Sequence, residues 1–90
     1  MIESEKTLEK KLRLHADKLG GIAIKLLATH FTGLPDRLIL LPNARIYFVE
    51  VKTTKQKPTK RQLLVHDKLR SLGFKVIVLD KSEQLNEITT

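Results

Sequence analysis

Cysteine is absent from the chain, which removes disulfide frameworks and zinc–thiolate sites and fits a reducing, cytoplasmic setting. Histidine is sparse: His15, His30 and His66 form no H-x-x-x-H or H-x-x-H pair, which argues against a zinc site. Long apolar runs are missing as well, and a membrane span with them. The opening MIESEKTLEKK has no apolar core after its charges, the opposite of a signal peptide. No G-x-S-x-G, Walker or dinucleotide glycine pattern appears, which removes the common hydrolase and nucleotide-binding motifs. With no repeat or low-complexity segment, nothing divides residues 1–90, and a single domain is expected.

What is present is positive charge. Seventeen Lys and Arg against ten acids give a net charge of +7 and a pI near 9.9, and a polyanionic partner is the natural inference. Lys52, Lys55, Lys57, Lys60 and Arg61 fall in an acid-free run. A chain of 90 residues buries only about 60% of its unfolded surface, so its stability is modest unless chains associate.

The run follows the stretch that organises the chain, residues 33–52, GLPDRLILLPNARIYFVEVK. Its second half reads as a strand over 45–52, rich in β-branched and aromatic residues. Side chains alternate along a strand, so Ile46, Phe48, Glu50 and Lys52 share one face, and Tyr47, Val49 and Val51 the other. Its first half gives Asp36 and then a strand over 38–41. Residues 42–44 are short enough for a hairpin, so the strands pair antiparallel. Asp36 opens one strand and Glu50 ends its partner, which sets both acids and Lys52 at one end of a sheet. Two oxygen ligands with room for water suit Mg²⁺ or Mn²⁺ better than zinc, and a phosphodiester completes such a shell. The plainer reading has Asp36 capping a turn and Glu50 and Lys52 as surface neighbours.

Around this hairpin the pattern predicts a helix capped by Ser4, with Leu8, Leu12, Ala16 and Leu19 on its apolar stripe and Gly20-Gly21 as its stop. Glu5 and Glu9 lie four apart, hence on one face. A strand follows over 22–27 with Lys25 in its middle, either aimed into the groove of Glu50 or an ordinary edge lysine. The loop 28–34 carries His30 and Phe31, which fit a DNA-lining role or closure of the core equally well. Residues 53–58 form a basic loop, and Thr59 opens a helix to residue 72 whose buried stripe is Val65, Leu69 and Leu72, flanked by Leu64. Thr59 and Gln62 have capping-box spacing, so Gln62 either caps the helix or serves the site. FKVIVL, 74–79, reads as a strand buried on both faces and parallel to 45–52. A last short helix spans 82–88. The sum is an α/β fold, an αβββαβ core with a four-stranded mixed sheet flanked by helices.

Gly33-Leu34-Pro35-Asp36, the fourteen-residue step to Glu50-Val51-Lys52 and the later Gln62 resemble the PD-(D/E)XK nuclease superfamily and its restriction-endonuclease-like core. Within it, the chain is similar to the small stand-alone VRR-NUC domains of phage and bacterial type, over nearly its whole length and including Gly20-Gly21 followed by Lys25. The resemblance implies a Mg²⁺- or Mn²⁺-dependent DNA endonuclease. Asp36 and Glu50 would be metal ligands, the Val51 carbonyl a further ligand and Lys52 the catalytic lysine. It also implies a helix glutamate, Glu9 in preference to Glu5, and a site role for Gln62. Lys25, Lys55, Lys57, Lys60 and Arg61 would contact DNA. Such domains resemble dimeric Holliday-junction resolvases, which implies a homodimer acting on branched DNA and no membrane association. The competing expectations are a DNA-binding module that keeps the fold without catalysis, and a structural protein with no nucleic-acid role.

Overall fold

A computed structural model describes residues 3–27, 30–53 and 55–90. Its elements follow the order α1 (Glu5–Lys18), β1 (Ile22–Lys25), β2 (Arg37–Leu41), β3 (Arg45–Val51), α2 (Lys60–Ser71) and β4 (Lys75–Leu79), with 3₁₀ turns at Pro42–Ala44 and Ser82–Glu87. The four strands form one sheet in the order β1-β2-β3-β4. The pairs β1/β2 and β2/β3 are antiparallel, and β3/β4 is parallel. This is the four-stranded mixed sheet with flanking helices that the sequence predicts.

Helix α1 starts where expected. The Ser4 hydroxyl accepts from the Thr7 amide at 3.1 Å, satisfying one of the amide groups that a helix start leaves free. Leu8, Leu12 and Ala16 recur one turn apart and are fully buried, so a single stripe of the helix meets the sheet. Gly20, at a φ of +84°, turns the chain out of the helix. The Gly21 amide then reaches back to the Ala16 carbonyl at 2.9 Å, a closure that favours glycine at the left-handed position. Under α1 lie Ile39, Leu41, Tyr47, Val49, Val51 and Leu79, and Ile88 from the end of the chain completes this core. The tail is tied down by His15 Nε2 on the Ile88 carbonyl at 2.8 Å and by the Tyr47 hydroxyl donating to the Thr89 carbonyl at 3.1 Å.

Strand β3 divides as its alternation requires: Tyr47, Val49 and Val51 face the core, and Phe48 and Glu50 face the other side. Helix α2 begins with the complete Thr59/Gln62 capping box. Two expectations need correction. The stripe that α2 turns toward the sheet is Gln62, Val65, His66 and Leu69, spaced i, i+3, i+4, i+7; Leu64 and Leu72 stand exposed. The helix is rotated by about one position from the purely apolar choice, bringing two polar residues over β3. Strand β4 is an edge of the sheet; Val76 and Leu79 are buried on opposite faces of it, while Lys75 is exposed and Ile77 and Val78 are half-buried, so its burial on both faces is only partial.

Candidate active site

The hairpin register pairs Arg37 with Val49. Continued by one residue, it brings Asp36 beside Glu50 on the face that α2 covers. The Val51 amide donates to Asp36 Oδ1 at 3.2 Å, while the Asp36 carbonyl accepts from the Leu26 amide at 2.9 Å and from Arg37 Nη1 at 3.0 Å. Backbone and side chain of Asp36 are thus both fixed. The loop before it rests on α2: Gly33 has a φ of +84°, and a Cβ there would meet Arg61 at 2.9 Å. Arg61 Nε donates to the Thr32 carbonyl at 3.2 Å, and its guanidinium lies 5.7 Å from the Phe31 ring centre.

Glu50 is 3% exposed, and its Oε1 has no hydrogen-bond partner. Burial, and next the charge of Asp36, push its carboxyl up to about 7 against the pull of Lys52. The Asp36 carboxyl is also raised, by burial first, against the Val51 amide and Arg37. Two neighbouring carboxylates that resist ionising together, with Lys52 close by, form an electrostatically unfinished site. Each effect is reversed by a cation between them.

His66 completes the wall. It is fully buried, its Nε2 lies 3.8 Å from Glu50 Oε1, and neither ring nitrogen has a partner. Burial, then Arg70, lowers its pKa, so the ring is neutral. Zinc-ligand spacing does not mark His66, and no site role is expected of it on that ground. The sequence does carry a signal: His66 follows Gln62 by four residues, which sets both on one face of α2.

The glutamates of α1 separate. Glu9 is held by Arg37 Nη2 in a 2.5 Å ion pair. Both glutamates bear on Asp36, and the charge of Glu5 bears on Glu50 as well. The preference for Glu9 therefore meets a physical objection: Arg37, one residue past Asp36, faces the other side of the sheet and captures it. Gln62 Oε1 accepts from the Thr59 amide at 2.8 Å, the capping conformation. Lys25 pairs with Arg37, which pairs with core-facing Val49, so it lies on the opposite face from Glu50 and not in the same groove. There it lines an open cavity of about 700 Å³ with Lys6, Lys10, Arg13, Arg37 and Glu9. Lys55, Lys57, Lys60 and Arg61 are exposed, as are His30 and Phe31, which do not close the core. Ala28, Thr29 and Thr54 in the flanking loops lie outside the described residues.

Among the described residues, no three His, Cys, Asp or Glu side chains converge as a metal cage. The donor set is two carboxylates with the Val51 carbonyl nearby. The burial of Glu50 beside Asp36 and this all-oxygen donor set fit a hard divalent cation that keeps several waters. No helix among the described residues is long and apolar enough to cross a membrane.

No protein-family model matches the chain. It is 48% identical over 84 residues to the protein named "Putative nuclease p44" of Acyrthosiphon pisum secondary endosymbiont phage 1, covering 93% of this chain and 89% of that one. A solved structure described as a VRR_NUC domain superposes with a TM-score of 0.85 at 34% identity, over 92% of this chain and 90% of the other. On these identities and coverages, the chain belongs to the VRR-NUC family of nucleases.

Proposed function

We propose that the protein is a metal-dependent endodeoxyribonuclease acting on branched DNA such as Holliday junctions. The observation that carries this reading is Glu50: a carboxylate buried beside Asp36, at a strand end followed by Lys52. Asp36, Glu50 and the Val51 carbonyl would hold Mg²⁺ or Mn²⁺. When bound, the ion polarises the phosphoryl oxygen and lowers the pKa of a coordinated water. Lys52 orients the attacking water and offsets charge developing on the phosphate. The α1 carboxylate that assists is Glu5, whose charge reaches both Asp36 and Glu50, with Glu9 serving through Arg37. Gln62 assists only if it leaves its capping bond.

The DNA backbone would follow the basic run of Lys55, Lys57, Lys60 and Arg61 over Glu50, with Lys25 contacting phosphate from the second face. A homodimer is supported by an apolar stripe on the part of the Glu50 face that α2 leaves uncovered. Ile22 and Ile24 on β1 are 52% and 37% exposed, and they continue into half-buried Leu38, Leu40, Ile46 and Phe48. A two-fold pair of such sheets would present two sites to two strands of a junction. DNA as the substrate implies action in the cytoplasm.

The alternative, a DNA-binding module without catalysis, has no use for buried acids facing a polyanion. Labelled four-way junction, linear duplex, single-strand and flap DNAs incubated with EDTA, Mg²⁺ or Mn²⁺ separate the two. Metal-dependent nicks by wild type but not by Asp36→Asn are expected. Retarded yet uncut DNA under all conditions would favour the binder. A sedimentation coefficient of a monomer at micromolar concentration would remove the dimer.

A further inference from the structure

Three side-chain atoms are buried without a partner among the described residues: Glu50 Oε1, His66 Nδ1 and His66 Nε2. Buried polar atoms are almost always paired, so three orphans in one place call for an explanation. They are neighbours, since Nε2 and Oε1 stand 3.8 Å apart, beyond a hydrogen bond by about 1 Å. His66 occupies a position that the helical period assigns to an apolar residue, between Val65 and Leu69 on the stripe facing the sheet. A leucine there would fill the space at no polar cost. The imidazole is also held from both ends of its helix: the Thr59/Gln62 capping box fixes the first turn, and Arg70 Nη2 donates to the Val76 carbonyl at 3.1 Å.

We propose that His66 is the positioning residue of Glu50: its Nε2–H closes onto Oε1 and leaves Oε2 to the divalent cation. This rests on the metal-site reading of Asp36 and Glu50 and adds to it the group that orients the carboxylate. Metal-binding carboxylates need such a partner, because a carboxylate free to rotate presents either oxygen and loses rotational freedom on binding. Lys52 bears on Glu50 through its charge but makes no hydrogen bond to Oε1. The neutral imidazole donates one hydrogen bond without adding a charge that would compete with the cation. The closure needs only a side-chain adjustment of Glu50, as β3 and α2 are both anchored.

The test is Mn²⁺ binding to DNA-free protein at pH 8, followed by the paramagnetic signal of free ion, with thermal unfolding recorded for every variant. His66→Leu keeps the volume and loses the donor, and its Mn²⁺ affinity should fall roughly 10- to 100-fold. His66→Gln places an amide N–H near the Nε2 position and should restore most of the affinity; His66→Asn, which mimics Nδ1 instead, should not. Should the leucine variant fail to fold, the Gln/Asn pair carries the comparison. Junction cleavage should follow the same order in kcat with KM for DNA little changed. Equal Mn²⁺ affinity in wild type and His66→Leu, or equal losses in Gln and Asn, would overturn the positioning role while leaving the metal site standing. A wild-type protein that binds no Mn²⁺ would overturn both.

Discussion

Glu50 should make the metal-free protein less stable than it needs to be. Its carboxyl titrates at about 7 in the fold against 4.5 for an ordinary glutamate. The folded state thus favours the protonated acid, and this contribution is full below pH 4.5 and lost as pH rises toward 7. A difference of that size corresponds to about 3 kcal/mol at pH 8, from 1.36 kcal/mol per pH unit. Glu50→Gln removes the charge and keeps the shape. Because a buried amide also wants partners, a net gain of about 1–3 kcal/mol is the expected outcome. In a domain of this size that is a rise in Tm of roughly 4 °C or more. The gap should close by pH 4. Mg²⁺ at a hundred times its Kd should raise wild-type stability by about 2.7 kcal/mol and leave Glu50→Gln unmoved. Thermal and urea unfolding at pH 4, 6 and 8, with and without Mg²⁺, measure all of this. A variant no more stable than wild type at pH 8, or one stabilised equally by Mg²⁺, would refute the reasoning.

The same shift predicts that metal affinity and cleavage weaken as pH falls below 7, because a proton on Glu50 competes with the ion; titration calorimetry at pH 6 and 8 checks it. Gln62→Ala should cost about 1 kcal/mol of stability through the lost capping box, and cleavage surviving this change would assign Gln62 to the cap alone. Replacing Lys55, Lys57 and Lys60 together by Gln should flatten the slope of log K against log salt for duplex DNA by about 2.7, since each phosphate no longer neutralised removes about 0.9. An unchanged slope in a filter-binding series would move the DNA elsewhere. Arg37→Met should leave Glu9 unpaired, and because the Glu9 side chain is 37% exposed and can be solvated, the loss should be only about 1 kcal/mol, read from the urea midpoint.

Local rules bring most of the fold into view. The alternation of β3 places Tyr47, Val49 and Val51 in the core and Glu50 outside it, and Ser4, Thr59 and Gly20 set the helix ends through short-range bonds. What stays hidden depends on parity and rotation between distant elements. Eleven residues separate β1 from β2, so nothing local fixes the register that pairs Lys25 with Arg37, and a slip of one residue would reverse its face. The choice between Glu5 and Glu9 turns on an arginine 28 positions beyond Glu9, whose guanidinium reaches back under α1. The rotation of α2 defeats the apolar pattern because leucines at 64, 69 and 72 promise more burial than Val65 and His66 provide. That failure is informative. A helix that leaves Leu64 and Leu72 in water to bury a histidine over a buried glutamate forgoes hydrophobic stabilisation, and in natural proteins such violations gather where function constrains the packing. Glu50 and His66 are two of the three buried charged or polar side chains among the described residues, and they face each other.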